Sequence, residues 1–106
     1  MEKIEDGHDQ GFISAITLTE IISILGKANA QLAYELIAYL EKGNITILPI
    51  EKEIAKKAGD LKLRYSEVNL STADRLIIAT AILEEADTVV TTDTEWSKVN
   101  EINTTE

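Results

Sequence analysis

The chain has no cysteine, so neither a disulfide framework nor a thiolate metal site is available to it. Proline occurs once, as Pro49, and no low-complexity tract, repeat or linker divides the sequence. Aromatic residues make up 5% of the total, so the core has to be aliphatic and rich in alanine. The one histidine, His8, sits in a polar stretch near the N-terminus and is expected to be exposed and inert. There is no glycine-rich phosphate loop of either common pattern. Long hydrophobic runs are missing as well. The longest, residues 76–83, contains Thr80 and falls far short of the roughly 20 residues of a membrane-spanning helix. The opening Met1-Glu2-Lys3-Ile4-Glu5-Asp6 is charged, unlike a secretory signal, so a cytoplasmic location away from membranes is the expectation.

Cations are also scarce. Lys and Arg total 10 against 19 Asp and Glu, for a net charge of −9. A protein that tracks phosphates usually carries the opposite sign. Two features soften this objection. Lys52, Lys56, Lys57, Lys62 and Arg64 cluster in one short stretch. Converging carboxylates are also what a metal-dependent nuclease needs, because the ion reverses their local charge. An acidic surface could equally draw in a basic partner, and solubility alone accounts for most such charges.

The 106 residues are 44% hydrophobic and 27% charged, an ordinary balance for one globular domain over residues 1–106. Phe12-Ile13-Ser14-Ala15-Ile16 reads as a short buried strand. Thr17 and Glu20 are spaced as a capping box, and the helix they open should run through Leu25 and stop at Gly26. Asn29 can cap a second helix with Leu32, Leu36, Ile37 and Leu40 on its apolar stripe. Ile45-Thr46-Ile47-Leu48 is the next strand. A helical pattern over residues 50–67 places Ile54, Ala58, Leu61 and Tyr65 on one face. Ser71 and Asp74 form a second capping box, opening a helix over residues 73–85 that is apolar nearly all round and therefore buried on more than one side. Thr88-Val89-Val90-Thr91 is a strand, and residues 99–103 suit a short edge strand. Short apolar strands alternating with helices predict an α/β fold, a parallel sheet with helices on both faces. Right-handed crossovers gather the strand C-termini on one edge, where open α/β sheets build their sites.

Three carboxylates fall on that edge. Glu20 lies in the first turn after the first strand, Asp74 in the first turn of the buried helix, and Asp93 just past the Val89-Val90 strand, with Glu95 a fourth contributor. Separate segments delivering carboxylates to one rim suit a hard divalent cation. Magnesium takes oxygen ligands, retains several waters and often needs only one or two direct carboxylates. For each acid alone, helix capping is the plainer role; the coincidence of all three on one edge favours a site. Ser71 is explained by capping, Trp96 by anchoring the acidic turn to the sheet, and Arg75 by a helix-surface ion pair, although Arg75 could also touch a phosphate.

Three blocks occur in order: Ile16-Thr17-Leu18-Thr19-Glu20-Ile21, the run from Leu70-Ser71-Thr72-Ala73-Asp74-Arg75 to Ile78-Ala79-Thr80-Ala81, and Val89-Val90-Thr91-Thr92-Asp93-Thr94-Glu95-Trp96. Together they resemble the PIN domain, above all the VapC-type toxins of toxin–antitoxin pairs. The resemblance implies an α/β/α sandwich with sheet order 3-2-1-4-5. It implies a Mg²⁺- or Mn²⁺-dependent ribonuclease whose catalytic and metal-holding residues include Glu20, Asp74 and Asp93. Glu95 is expected as a further metal residue, and Thr92 and Arg75 as contacts to the RNA substrate. The resemblance further implies a homodimer silenced by an antitoxin protein. The family's first strand, with its aspartate, has no counterpart here: Met1 to Asp9 reads as the tail of the helix that follows that strand. The expectation is a domain lacking the N-terminal strand, with weak activity as written, or else a non-catalytic PIN-like remnant that binds a partner. A receiver-like signalling domain is disfavoured, since its early acidic pair and late lysine are not visible.

Overall fold

The computed structural model describes residues 11–91 and 94–105. Thr92, Asp93, His8 and the expected helix tail before Asp9 lie outside the described residues. The chain alternates strands and helices as anticipated, with shifts at several boundaries. Strand β1 (Phe12–Ser14) leads into a continuous helical rod made of α1 (Ile16–Glu20), a π-helical segment (Ile21–Leu25) and α2 (Gly26–Ala28). Helix α3 (Ala30–Lys42) returns to β2 (Thr46–Leu48), followed by α4 (Lys52–Arg64), α5 (Thr72–Leu83), β3 (Val89–Val90), a 3-10 turn (Thr94–Lys98) and β4 (Thr104–Thr105).

The strands are parallel, as short apolar strands separated by helices require. β1 pairs with β2 in the register Phe12–Thr46, Ile13–Ile47 and Ser14–Leu48. β3 pairs with β4, Val89 opposite Thr104. Among the described residues these are two separate two-stranded sheets and not one continuous sheet. They correspond to the outer pairs, 3-2 and 4-5, of the strand order the sequence resemblance implies. The last strand lies at residues 104–105, beyond the predicted 99–103. Val99 is instead fully buried in the turn after the 3-10 segment, because its side chain is claimed by the core before the backbone enters β4.

That core joins Ile54, Ala58 and Leu61 of α4 to Ile78, Ala79 and Ala81 of α5, closed by Leu70, Val89, Trp96 and Val99. Burying a side chain such as Ile78, which is completely inaccessible, stabilises the fold by about 1.5–3 kcal/mol. This packing offsets the weak helix propensity of the β-branched residues in α5. The Thr80 hydroxyl, also buried, donates to the Leu76 carbonyl at 2.8 Å and so costs little. α5 ends in a left-handed residue, Glu85 at φ 54°, with Ala86 N–H donating to Ala81 O and Glu85 N–H to Ile82 O. This is the paired closure usually built on glycine.

Helix α3 departs from expectation. Asn29 does cap it, its side chain accepting Leu32 N–H at 3.0 Å. Of the predicted stripe, however, only Leu40 is buried and Ile37 half-buried; Leu32 and Leu36 are exposed, and Ala33 takes the inward position. The C-terminal segment is strapped to α4 by charge. Lys57 Nζ lies 2.8 Å from Glu101 Oε1 and 3.5 Å from Asp60, and the Tyr65 hydroxyl donates to Glu101 Oε2 at 3.4 Å. The Glu101 hydrogen bond, reinforced by the nearby carboxylate charges, raises the Lys57 pKa.

Candidate active site

The turn from β1 into α1 decides what Glu20 can do. The helix begins one residue before the expected cap, and the Ser14 hydroxyl, not Thr17, accepts a backbone N–H, that of Ile16 at 3.3 Å. Thr17 is buried inside the helix. The predicted Thr17–Glu20 capping box is therefore not formed, and the Glu20 carboxylate is released from the plain structural duty the sequence offered it. Glu20 closes α1, immediately before the π-helical segment. Such wide turns within helices are rare and recur at functional sites.

Asp74 keeps its cap. Ser71 Oγ accepts Asp74 N–H at 3.0 Å, and Asp74 Oδ2 accepts Ser71 N–H at 3.1 Å. The other Asp74 oxygen makes no hydrogen bond among the described residues, so capping and a second role are compatible. Helix α1 packs against α5, and this contact brings the two acids together. Burial, and after it the charge of Asp74, pushes the Glu20 carboxyl above the ordinary carboxylate range.

Glu95 opens the 3-10 turn and is engaged on both oxygens. Its Oε1 accepts Asn69 N–H at 3.2 Å and its Oε2 accepts from Lys98 Nζ at 2.8 Å. Lys98 first, then the Asn69 N–H, holds this carboxyl below its ordinary range. Trp96 is 5% exposed and sits in the core, the anchoring role expected of it. Arg75 does not form the expected ion pair with any described residue. Its Nε is buried without a hydrogen-bond partner, as is Trp96 Nε1. Arg75 follows Asp74 directly in the chain, and a guanidinium is a donor suited to anionic oxygens.

Among the described residues no three acidic or histidine side chains form a metal-holding group. Of the expected acids, Glu20 ends α1 and Asp74 opens α5, two helices that pack together, and the charge of Asp74 reaches Glu20; Asp93 and Thr92 lie outside the described residues. The two carboxylates are hard oxygen donors of the kind a hydrated divalent cation takes, and a cation beside them would offset both the burial and the Asp74 charge that raise Glu20. The contacts of Asn69 and Lys98 with Glu95 were not read from the sequence. Lys98 stands three residues from Glu95 and carried a local signal; Asn69 lies on a distant segment and carried none.

The family model described as the PIN domain matches residues 1–102 of the chain. A solved structure described as a toxin–antitoxin complex from Klebsiella pneumoniae has a similar fold, with a TM-score of 0.63 and 22% sequence identity over 88% of this chain and 72% of that one. Comparison with curated proteins gives no match.

Proposed function

The chain belongs to the PIN domain family, and from that premise we propose that it is a Mg²⁺- or Mn²⁺-dependent endoribonuclease of the VapC toxin type. The observation that carries the proposal is the packing of α1, which ends at Glu20, on α5, which opens at Asp74, with the charge of Asp74 adding to burial in raising the Glu20 carboxyl. Glu20, Asp74 and Asp93 would hold the ion, which when bound would supply activation of a water and stabilisation of charge on the phosphoryl oxygens. The residues of the chain do the rest. The Ser71 cap fixes Asp74 at the N-terminus of α5, the packing of α1 on α5 carries Glu20 toward it, and Arg75 with Thr92 would take the RNA phosphate. Glu95, with both oxygens engaged, belongs to the support of this site.

The likeness to a toxin–antitoxin complex supports an antitoxin protein as the natural partner of this chain. Leu32, Leu36 and Tyr39 recur on one face of α3 and are exposed, offering apolar surface to an antitoxin or to the second copy of a homodimer. Among the described residues no helix is long and apolar enough to cross a membrane. The test is cleavage of single-stranded RNA in Mn²⁺, with parallel Mn²⁺ titration. Cleavage lost in Glu20→Gln and in Asp74→Asn is the expected result. Mn²⁺ binding without any cleavage would favour a partner-binding module, and cleavage that survives both substitutions would place the chemistry elsewhere.

A further inference from the structure

Resting on the reading of Glu20, Asp74 and Asp93 as a metal-holding set, we infer that Glu95 is a positioning residue, which ties the loop entering α5 to the turn that follows Asp93. Its carboxylate bridges segments that are distant in the chain. Asn69 donates to Oε1 at 3.2 Å, and Lys98 donates to Oε2 at 2.8 Å. Asn69 stands two residues before Ser71, the cap of α5, and Ser71 is locked to Asp74 by reciprocal hydrogen bonds of 3.0 and 3.1 Å. The path from Glu95 to the Asp74 carboxylate is thus a short run of backbone tied at both ends. On its other side, Glu95 follows Asp93 by two residues in the sequence.

Each end of the bridge has an apolar anchor beside it. Leu70, next to Asn69, and Trp96, next to Glu95, are each 5% exposed and belong to the same core cluster. Those anchors set how closely the two segments approach. They do not set direction, because apolar contact is non-directional; a hydrogen bond to a backbone N–H is directional and does. A glutamate is suited to the task, since its two acceptor oxygens can serve an amide and an ammonium together. A carboxylate engaged in this way orients metal ligands without being one, and partners of that kind contribute substantially to metal affinity.

The test uses the full chain with Mn²⁺ as the probe, and three variants. Glu95→Gln keeps an acceptor for Asn69 N–H and loses the ion pair; Glu95→Ala loses both; Lys98→Met leaves the carboxylate and removes the ammonium from beside it. The readouts are Mn²⁺ affinity and the hydrogen-exchange rate of the Asn69 amide. We expect Glu95→Ala to weaken Mn²⁺ binding about tenfold and to speed exchange at Asn69, with Glu95→Gln and Lys98→Met staying within about threefold of wild type on both readouts. Equal loss of affinity in Glu95→Gln and Glu95→Ala would make Glu95 a direct ligand and overturn the inference. Faster exchange at Asn69 with unchanged Mn²⁺ affinity would leave the bridge a purely structural tie and overturn it too. Should Glu95→Ala fail to fold, affinity in Glu95→Gln lowered tenfold still counts against it. A wild-type chain that binds no Mn²⁺, unaltered by Glu20→Gln or Asp74→Asn, overturns the metal reading itself and is told apart in that way.

Discussion

Glu20, closing α1, and Asp74, in the first turn of α5, lie near enough that the Asp74 charge adds to burial in raising the Glu20 carboxyl above its ordinary range. Asp74 is fixed by its local cap on Ser71, whereas Glu20 has no such local tie. The contact exists because β1 hands the chain directly to α1 and α1 rests on α5. The pair is a local conflict of like charges in a chain that already carries a net charge of −9, and conflicts of this kind gather where a ligand resolves them.

The first consequence is a stability change with pH. In the metal-free chain Glu20 holds its proton more tightly when folded than when unfolded. Between the ordinary carboxylate pKa and the raised one, the folded state therefore binds more protons, and stability falls as pH rises through that window. Glu20→Gln removes the charge with little change of shape. The metal-free variant should melt a few degrees above wild type at neutral pH and lose that advantage in acid below the carboxylate range. Added Mn²⁺ should stabilise wild type and not the variant. Thermal melts across pH, with and without Mn²⁺, check both halves; a metal-free variant that melts below wild type at neutral pH counts against the account.

A second prediction concerns the end of α5. Glu85 adopts φ 54°, a left-handed conformation that crowds the Cβ of any residue but glycine. Its closure bonds, Glu85 N–H to Ile82 O and Ala86 N–H to Ala81 O, are made by backbone alone and survive substitution. Glu85→Gly should thus stabilise the chain by about 1 kcal/mol, the relief of strain outweighing the extra freedom of the unfolded glycine. Glu85→Ala, which retains a Cβ, should give no such gain. Denaturant midpoints for the two variants separate these outcomes.

What could be read from sequence was what local chemistry decides. Ser71 with Asp74 and Asn29 with Leu32 sit three residues apart, and both caps form as their spacing suggests. The inward face of α4, with Ile54, Ala58 and Leu61, follows from periodicity because α5 lies against it. Thr17 and Glu20 have the same spacing as Ser71 and Asp74 yet form no box, because the Ser14 hydroxyl captures the first amide and starts the helix earlier. Periodicity marks an apolar face without saying whether anything covers it, which is why Leu32 and Leu36 on α3 are exposed. The π-helical turn at residues 21–25 carries no pattern distinct from an α-helix, and the Glu95–Asn69 bridge joins segments that only the fold brings together.

The contrast between α5 and α3 gives a third prediction. Ile78 is wholly buried and packs in the cluster of α4 and α5, so Ile78→Ala should cost about 2–5 kcal/mol through lost transfer energy and the cavity left behind. Tyr39 is 73% exposed, and Tyr39→Ser should change stability by no more than about 0.5 kcal/mol. Urea unfolding of the isolated chain measures both. A large loss at Tyr39 would mean that α3 is already covered in solution, and the loss should then grow with protein concentration, as it does when the cover is another copy of the chain.

The last prediction concerns Arg75 and the substrate. Arg75 directly follows Asp74, and its Nε has no hydrogen-bond partner among the described residues. If it receives a phosphate oxygen of RNA, binding should depend on salt through that contact. Each phosphate neutralised on a single strand adds about 0.7 to the slope of log K against log salt. The measurement belongs in an Asp74→Asn background, where cleavage does not consume the ligand. There, Arg75→Gln should weaken single-stranded RNA binding at low salt and flatten the slope by about 0.7, for one lost contact. Arg75→Lys keeps the charge but not the planar donor, so it should preserve the slope while losing part of the affinity. A slope unchanged by Arg75→Gln would remove Arg75 from the substrate path, leaving its buried Nε a feature of the α5 surface without a role in binding.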